Sequence, residues 1–101
     1  MDLKELEARM HAFVDSKGWY GADSPKPQTP QNLAISLALE AAEVLEHFQW
    51  RDNARDTDAL AGELADVALY LLQLASISGI DLENAILRKL ETNHQRHWPE
   101  P

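Results

Sequence analysis

Residues 39–46, Leu39-Glu40-Ala41-Ala42-Glu43-Val44-Leu45-Glu46, set two carboxylates three positions apart in an apolar run, and residues 63–66, Glu63-Leu64-Ala65-Asp66, repeat the arrangement. On a helix, residues three apart share a face on adjacent turns, so Glu40 points with Glu43 and Glu63 points with Asp66. Leu37, Val44, Leu45 and Phe48 surround the first pair, and Leu60, Leu64, Val67 and Leu69 surround the second. If two helices pack with these faces together, four carboxylates converge in a low-dielectric groove. Repulsion and desolvation are then costly unless a cation neutralises them. The pattern implies a metal site held between two helices. Carboxylate ligands with no cysteine and no nearby histidine favour a hard cation, Mg2+ or its substitute Mn2+, with waters completing an octahedron.

Working outward, Thr29-Pro30 is a helix start, a hydroxyl at the N-cap and proline at the first helical position, and the helix it opens reads to about Gln49. Asp56 or Thr57 caps the next helix, which runs to Gly79; it is apolar almost all round and is expected to be the most buried. On the N-terminal side, Leu3, Leu6, Met10, Phe13 and Val14 recur at helical spacing until Gly18. On the C-terminal side, Asp81 caps a last helix that buries Leu82, Ala85, Ile86 and Leu90 and ends before Pro99. The stretch from Trp19 to Gln28 is a Gly- and Pro-rich loop with two aromatics at its base, which either anchor it or line a pocket, anchoring being the favoured reading. No segment alternates with strand period, so the expected fold is an all-α four-helix bundle in one domain, 1–101, with a loop at 18–29 and a core at about 29–98.

Composition narrows the function. A chain of 101 residues is one domain with a modest core. The absence of cysteine removes thiolate zinc sites, disulfides and cysteine nucleophiles. A net charge of -8 argues against a surface that coats nucleic acid. No run is read as long enough to cross a bilayer, and the charged first residues do not form a signal peptide, so a soluble cytoplasmic protein is expected, with no membrane partner.

Glutamate pairs three apart are common on solvated acidic helices; two pairs set among Leu, Val and Ala are not. A di-iron carboxylate bundle would need two Glu-x-x-His motifs, and only Glu91-Thr92-Asn93-His94 has that spacing, at the polar end of the chain. His11, His47 and His97 are not spaced as a ligand set and read as surface or satisfied residues. No P-loop is present. A carboxylate-held Mg2+ site suits phosphates, with hydrolysis as the natural chemistry. Arg88, Lys89, Asn93, Arg96 and Trp98 place cations and an amide near the chain's end, where they serve either the helix dipole or a polyphosphate. A reading from another class stays open, a helical adaptor whose acids are solvated and whose apolar stripe binds a partner helix.

Glu40-x-x-Glu43, Phe48-Gln49-Trp50, Glu63-x-x-Asp66 and Lys89-x-x-x-Asn93-x-x-Arg96, taken together, resemble a MazG-like nucleotide pyrophosphohydrolase of the all-α NTP pyrophosphatase superfamily, above all its small dCTP-pyrophosphatase branch. The resemblance spans about residues 29–98. It implies Mg2+-dependent cleavage of a nucleoside triphosphate to the monophosphate and pyrophosphate in nucleotide-pool housekeeping. By position it assigns Glu40, Glu43, Glu63 and Asp66 to the metal, with Glu40 or Glu43 also serving the attacking water. Lys89, Asn93 and Arg96 would meet the phosphates, Trp50 and Tyr70 would lie near the nucleotide, and Asn32 would contact the ligand. It also implies a dimer or tetramer. The branch often carries a histidine and an arginine around the proline that opens the second helix; this chain has Gln28 and Gln31 there, which leaves base preference open.

Overall fold

Every helix begins on a side chain that accepts a hydrogen bond from the backbone of its own first turn. In the computed structural model, which describes residues 1–97 and 99, these caps open α1 (Leu3–Ser16), α2 (Pro30–Glu46), α3 (Thr57–Ile77) and α4 (Leu82–Gln95). Asp2 caps α1, Thr29 caps α2 with Pro30 inside it, and Asp81 caps α4. Asp56 Oδ1 accepts from both Asp58 N (3.0 Å) and Ala59 N (3.2 Å) at the start of α3. The fold is all-α, as expected, with no strand among the described residues.

Two helices stop on glycine. Gly18 and Gly79 both take φ +73°, a left-handed backbone that costs glycine little. After each, the chain closes a paired hydrogen bond onto the last turn: Trp19 N to Val14 O and Gly18 N to Asp15 O, then Ile80 N to Ala75 O and Gly79 N to Ser76 O. Such double closure satisfies carbonyls that the helix end would leave bare. α2 stops earlier than the sequence implies, at Glu46, because residues 47–50 turn instead, and Trp50 ends the turn at φ +68°.

Packing centres on α3. Its long contact is with α2; α1 and, more sparingly, α4 meet its C-terminal half. The core is Met10 and Val14 from α1 with Leu72 from α3, joined by half-buried Leu3, Trp19, Tyr20 and Leu82. Among the described residues the most buried side chain is Leu33 of α2, while α3 holds more buried positions than any other helix, Leu72, Gln73 and Ala75, but near its end. Its first half is open in this chain: Leu64 is 51% exposed. Its 21 residues are long and apolar enough to cross a bilayer by length and composition alone, although Asp58, Glu63 and Asp66 interrupt the apolar run. Trp98, read above with the C-terminal cations, and the far edge of the core at 98 lie outside the described residues.

Candidate active site

The i, i+3 spacing on α2 and the facing turn of α3 bring acids together. One carboxylate oxygen each from Glu40, Glu43 and Glu63 lie within 4.8 Å of one another. Two oxygens on one octahedral Mg2+ are separated by about 3 Å or, across the ion, about 4 Å, so a small inward shift of these side chains would let the three atoms share a cation. Glu40 adds a second indication: its Oε2 is buried and has no hydrogen-bond partner in the protein. A buried carboxylate oxygen left without a donor is costly, and a cation removes that cost.

The proton affinities reflect the crowding. Glu40 is raised from its usual 4.5 to about 7, first by burial, then by the charge and hydrogen bonding of Glu43, with Asp66 and Glu63 adding to it. Glu63 is pushed up as well, first by hydrogen bonding with Glu43, then by burial and the Glu43 charge. Asp66 thus acts on both glutamates from one turn further along α3.

Beside the acids opens a cavity of about 630 Å³, walled by α1, the 19–28 loop, α2 and α3. That volume suits a nucleoside-sized ligand. Asp66 forms part of its wall, as do Asn32 and Ser36 of α2 and Tyr70 and Gln73 of α3. Asn32 is fixed in place, its Nδ2 donating to the Pro27 carbonyl (2.9 Å). Trp19 lines the cavity and is itself packed: Phe13 meets it edge-on, and Lys26 Nζ lies 4.9 Å from its ring centroid. Behind the wall runs a polar chain. Gln73 Nε2 donates to Gln28 Oε1 (2.8 Å) and to the Tyr20 hydroxyl (3.2 Å); that hydroxyl bonds His11 Nδ1, and His11 Nε2 bonds Ser76 Oγ (2.7 Å).

Two apolar-backed acid pairs on antiparallel neighbours, with a cavity at their flank, agree with the comparison against known families, in which residues 35–100 match the MazG-like family model. The chain belongs to the MazG-like family. A crystal structure of a pyrophosphatase from Archaeoglobus fulgidus superposes with a TM-score of 0.79 at 36% identity, covering 96% of this chain and 92% of that one. Similar curated proteins include dCTP pyrophosphatase 1 of Rattus norvegicus, 34% identical over 99 residues, 88% of this chain and 55% of the rat protein. A dATP/dGTP diphosphohydrolase of Salmonella phage PMBT28 is 36% identical over 81 residues, 80% of this chain and 24% of the phage protein. The MazG-like domain therefore spans about half the length of the rat relative.

Within this MazG-like domain the residues singled out from sequence fall into two groups. Glu40, Glu43 and Glu63 converge, with Asp66, Asn32 and Tyr70 on the adjoining wall. Trp50, Lys89, Asn93 and Arg96 are not among the described residues lining the cavity; Trp50 stands 93% exposed at the end of the α2 turn. His11, Tyr20 and Gln73 were not singled out as site residues. Gln73 had a signal: an amide in Tyr70-Leu71-Leu72-Gln73-Leu74-Ala75, one helical face with Asp66 and Tyr70.

Proposed function

We propose that this domain is a Mg2+-dependent nucleoside triphosphate pyrophosphohydrolase, acting in the cytoplasm on a (deoxy)pyrimidine triphosphate such as dCTP or a modified form. The observation that carries the reading is the unpartnered Glu40 Oε2 in a carboxylate cluster that adjoins, through Asp66, a cavity of nucleoside size. A nucleoside in the cavity brings its phosphates toward the acids, where a bridging cation makes the two anionic groups compatible. A divalent ion held there offsets charge developing on the phosphoryl oxygens. The protein's part is to hold and orient. Glu40, Glu43, Glu63 and Asp66 present the ligand oxygens. Glu40 or Glu43 orients a water and takes its proton as the water oxygen bonds to the α-phosphorus. The bond from that phosphorus to the α,β-bridging oxygen breaks, and pyrophosphate leaves with the electron pair. Asn32 and Tyr70 serve the nucleoside end, Trp50 stacks on a base, and Lys89, Asn93 and Arg96 meet phosphates.

Self-association belongs to the same reading. The chain exposes 7843 Å², against roughly 5,800 Å² for a compact monomer of its mass. Leu39, Leu45, Leu64, Leu87 and Leu90 are each more than half exposed. A second copy that covers these faces also supplies the route by which Trp50 and the α4 cations reach a cavity they do not line in their own chain.

The test is pyrophosphate release from a panel of ribo- and deoxyribonucleoside triphosphates, with Mg2+ and with chelator, for wild type and Glu43→Gln. Release that needs the metal and disappears in the variant is expected. No release from any nucleotide by folded, metal-loaded protein would overturn the reading and leave the adaptor.

A further inference from the structure

The cavity is graded along its length, and the pairing of α2 with α3 sets the order. Glu40 meets Glu63 at one end, and Gln28, just ahead of α2, accepts from Gln73 at the other, so the two helices run antiparallel past the same space. Side chains reach the wall from both at steps of about one turn. Asn32 and Ser36 lead to Glu40 on α2, while Gln73 and Tyr70 lead to Asp66 on α3. Four helical residues rise about 6 Å, so the wall carries successive levels about that far apart. The amides of Asn32 and Gln73 come first, then Ser36 with Tyr70, then the acids.

The middle level differs from its neighbours in what its groups are bonded to. At the amide end Asn32, Gln28 and Gln73 each spend N–H groups within the protein. At the other end the acids bear on one another. Ser36, which has no part in the hydrolysis as described, is half-buried and lines the cavity between them. Its Oγ makes no hydrogen bond among the described residues, not even the bond to the carbonyl four residues back that a helical serine often makes. Around it the wall is apolar, with Leu33, Ile35 and Leu69. A hydroxyl left open to such a space is suited to a ligand hydroxyl, since each can act as donor or acceptor to the other.

The acids decide which part of a nucleotide arrives at this level. With the phosphates drawn to a cation at Glu40, Glu43 and Glu63, the base lies toward the amides and the sugar, which joins the two, lies between. We propose that Ser36 is the sugar-reading residue of the cavity, its hydroxyl hydrogen-bonded to the sugar 3′-hydroxyl. In a deoxynucleotide such as dCTP that is the only hydroxyl the sugar keeps. The proposal rests on the nucleotide reading given above and deepens it, giving the sugar a partner of its own.

The test is a cycle in which protein and ligand each lose one hydroxyl. With Mg2+ present, affinities are measured for the α,β-methylene analogues of dCTP, 2′,3′-dideoxy-CTP and CTP, or the matching series of whichever base the nucleotide panel ranks first. KM and kcat are measured for the three triphosphates, and both readouts are taken on wild type and Ser36→Ala. Wild type is expected to hold the dCTP analogue roughly 5-fold or more tighter than the dideoxy analogue. Ser36→Ala puts a strong helix former in place and leaves the acids untouched. It should bind the two analogues equally, the loss falling on the dCTP analogue and on KM, with kcat for dCTP within about twofold. The CTP analogue should weaken in parallel, since it too carries the 3′-hydroxyl. A 3′-hydroxyl preference that survives in the variant, one absent from wild type, or a loss confined to CTP overturns the proposal while leaving hydrolysis standing. Failure of wild type to bind or cleave any nucleotide overturns both.

Discussion

Glu40 has the most perturbed environment in the site, and its titration has a definite sign. Raised from 4.5 to about 7, it keeps in the folded protein a proton that the unfolded chain has already released. Its contribution to stability is therefore fully present below about 4.5 and is lost as pH rises through about 7. In chelator, the melting temperature of wild type relative to Glu40→Gln is expected to fall across that window; with saturating Mg2+ the difference should flatten. A relative melting temperature that climbs with pH would contradict the raised affinity. At neutral pH, metal-free Glu40→Gln should also melt higher than wild type, since one of several crowded charges is gone, while its pyrophosphate release disappears. The acids were legible at this scale because three-residue spacing on a helix is a local property. The His11 relay was not, since it joins residues 65 positions apart that nothing local relates.

The elements were legible wherever a cap or a glycine marks them. Thr29-Pro30, Asp56, Asp81, Gly18 and Gly79 all act as their residue types require. The end of α2 was misread by a few residues because helix formers continue through His47-Phe48-Gln49 while the backbone turns. Asp56→Ala should cost about 1 kcal/mol, seen as a lower denaturation midpoint with an unchanged slope, because two amides at the head of α3 lose their acceptor. Trp50 gives an opposite case. A bulky residue at φ +68° is strained by roughly 1–2 kcal/mol, so Trp50→Gly should stabilise the fold. If the ring stacks on a base, the same change raises KM. A variant more stable and weaker in binding is the expected pair of outcomes.

At the scale of the molecule, the radius of gyration is 16.3 Å, against about 13 Å for a compact chain of this length. The apolar run of α3 was legible, but which of its faces lies open was not, since that depends on how the other helices pack against it. Sedimentation should return a multiple of 11.4 kDa, and Leu87→Asp with Leu90→Asp should shift it toward the monomer; a wild type that sediments as monomer would contradict self-association. One residue belongs to two neighbourhoods at once: Asp66 walls the cavity and also bears on Glu40 and Glu63. Anything that changes the field at Asp66 is then felt on both sides, so on the proposed function cation and nucleotide are expected not to bind as independent events. By reciprocity, the factor by which Mg2+ tightens a non-hydrolysable nucleotide must equal the factor by which that nucleotide tightens Mg2+. Asp66→Asn should shrink both factors together, making this side chain the hinge of a thermodynamic cycle.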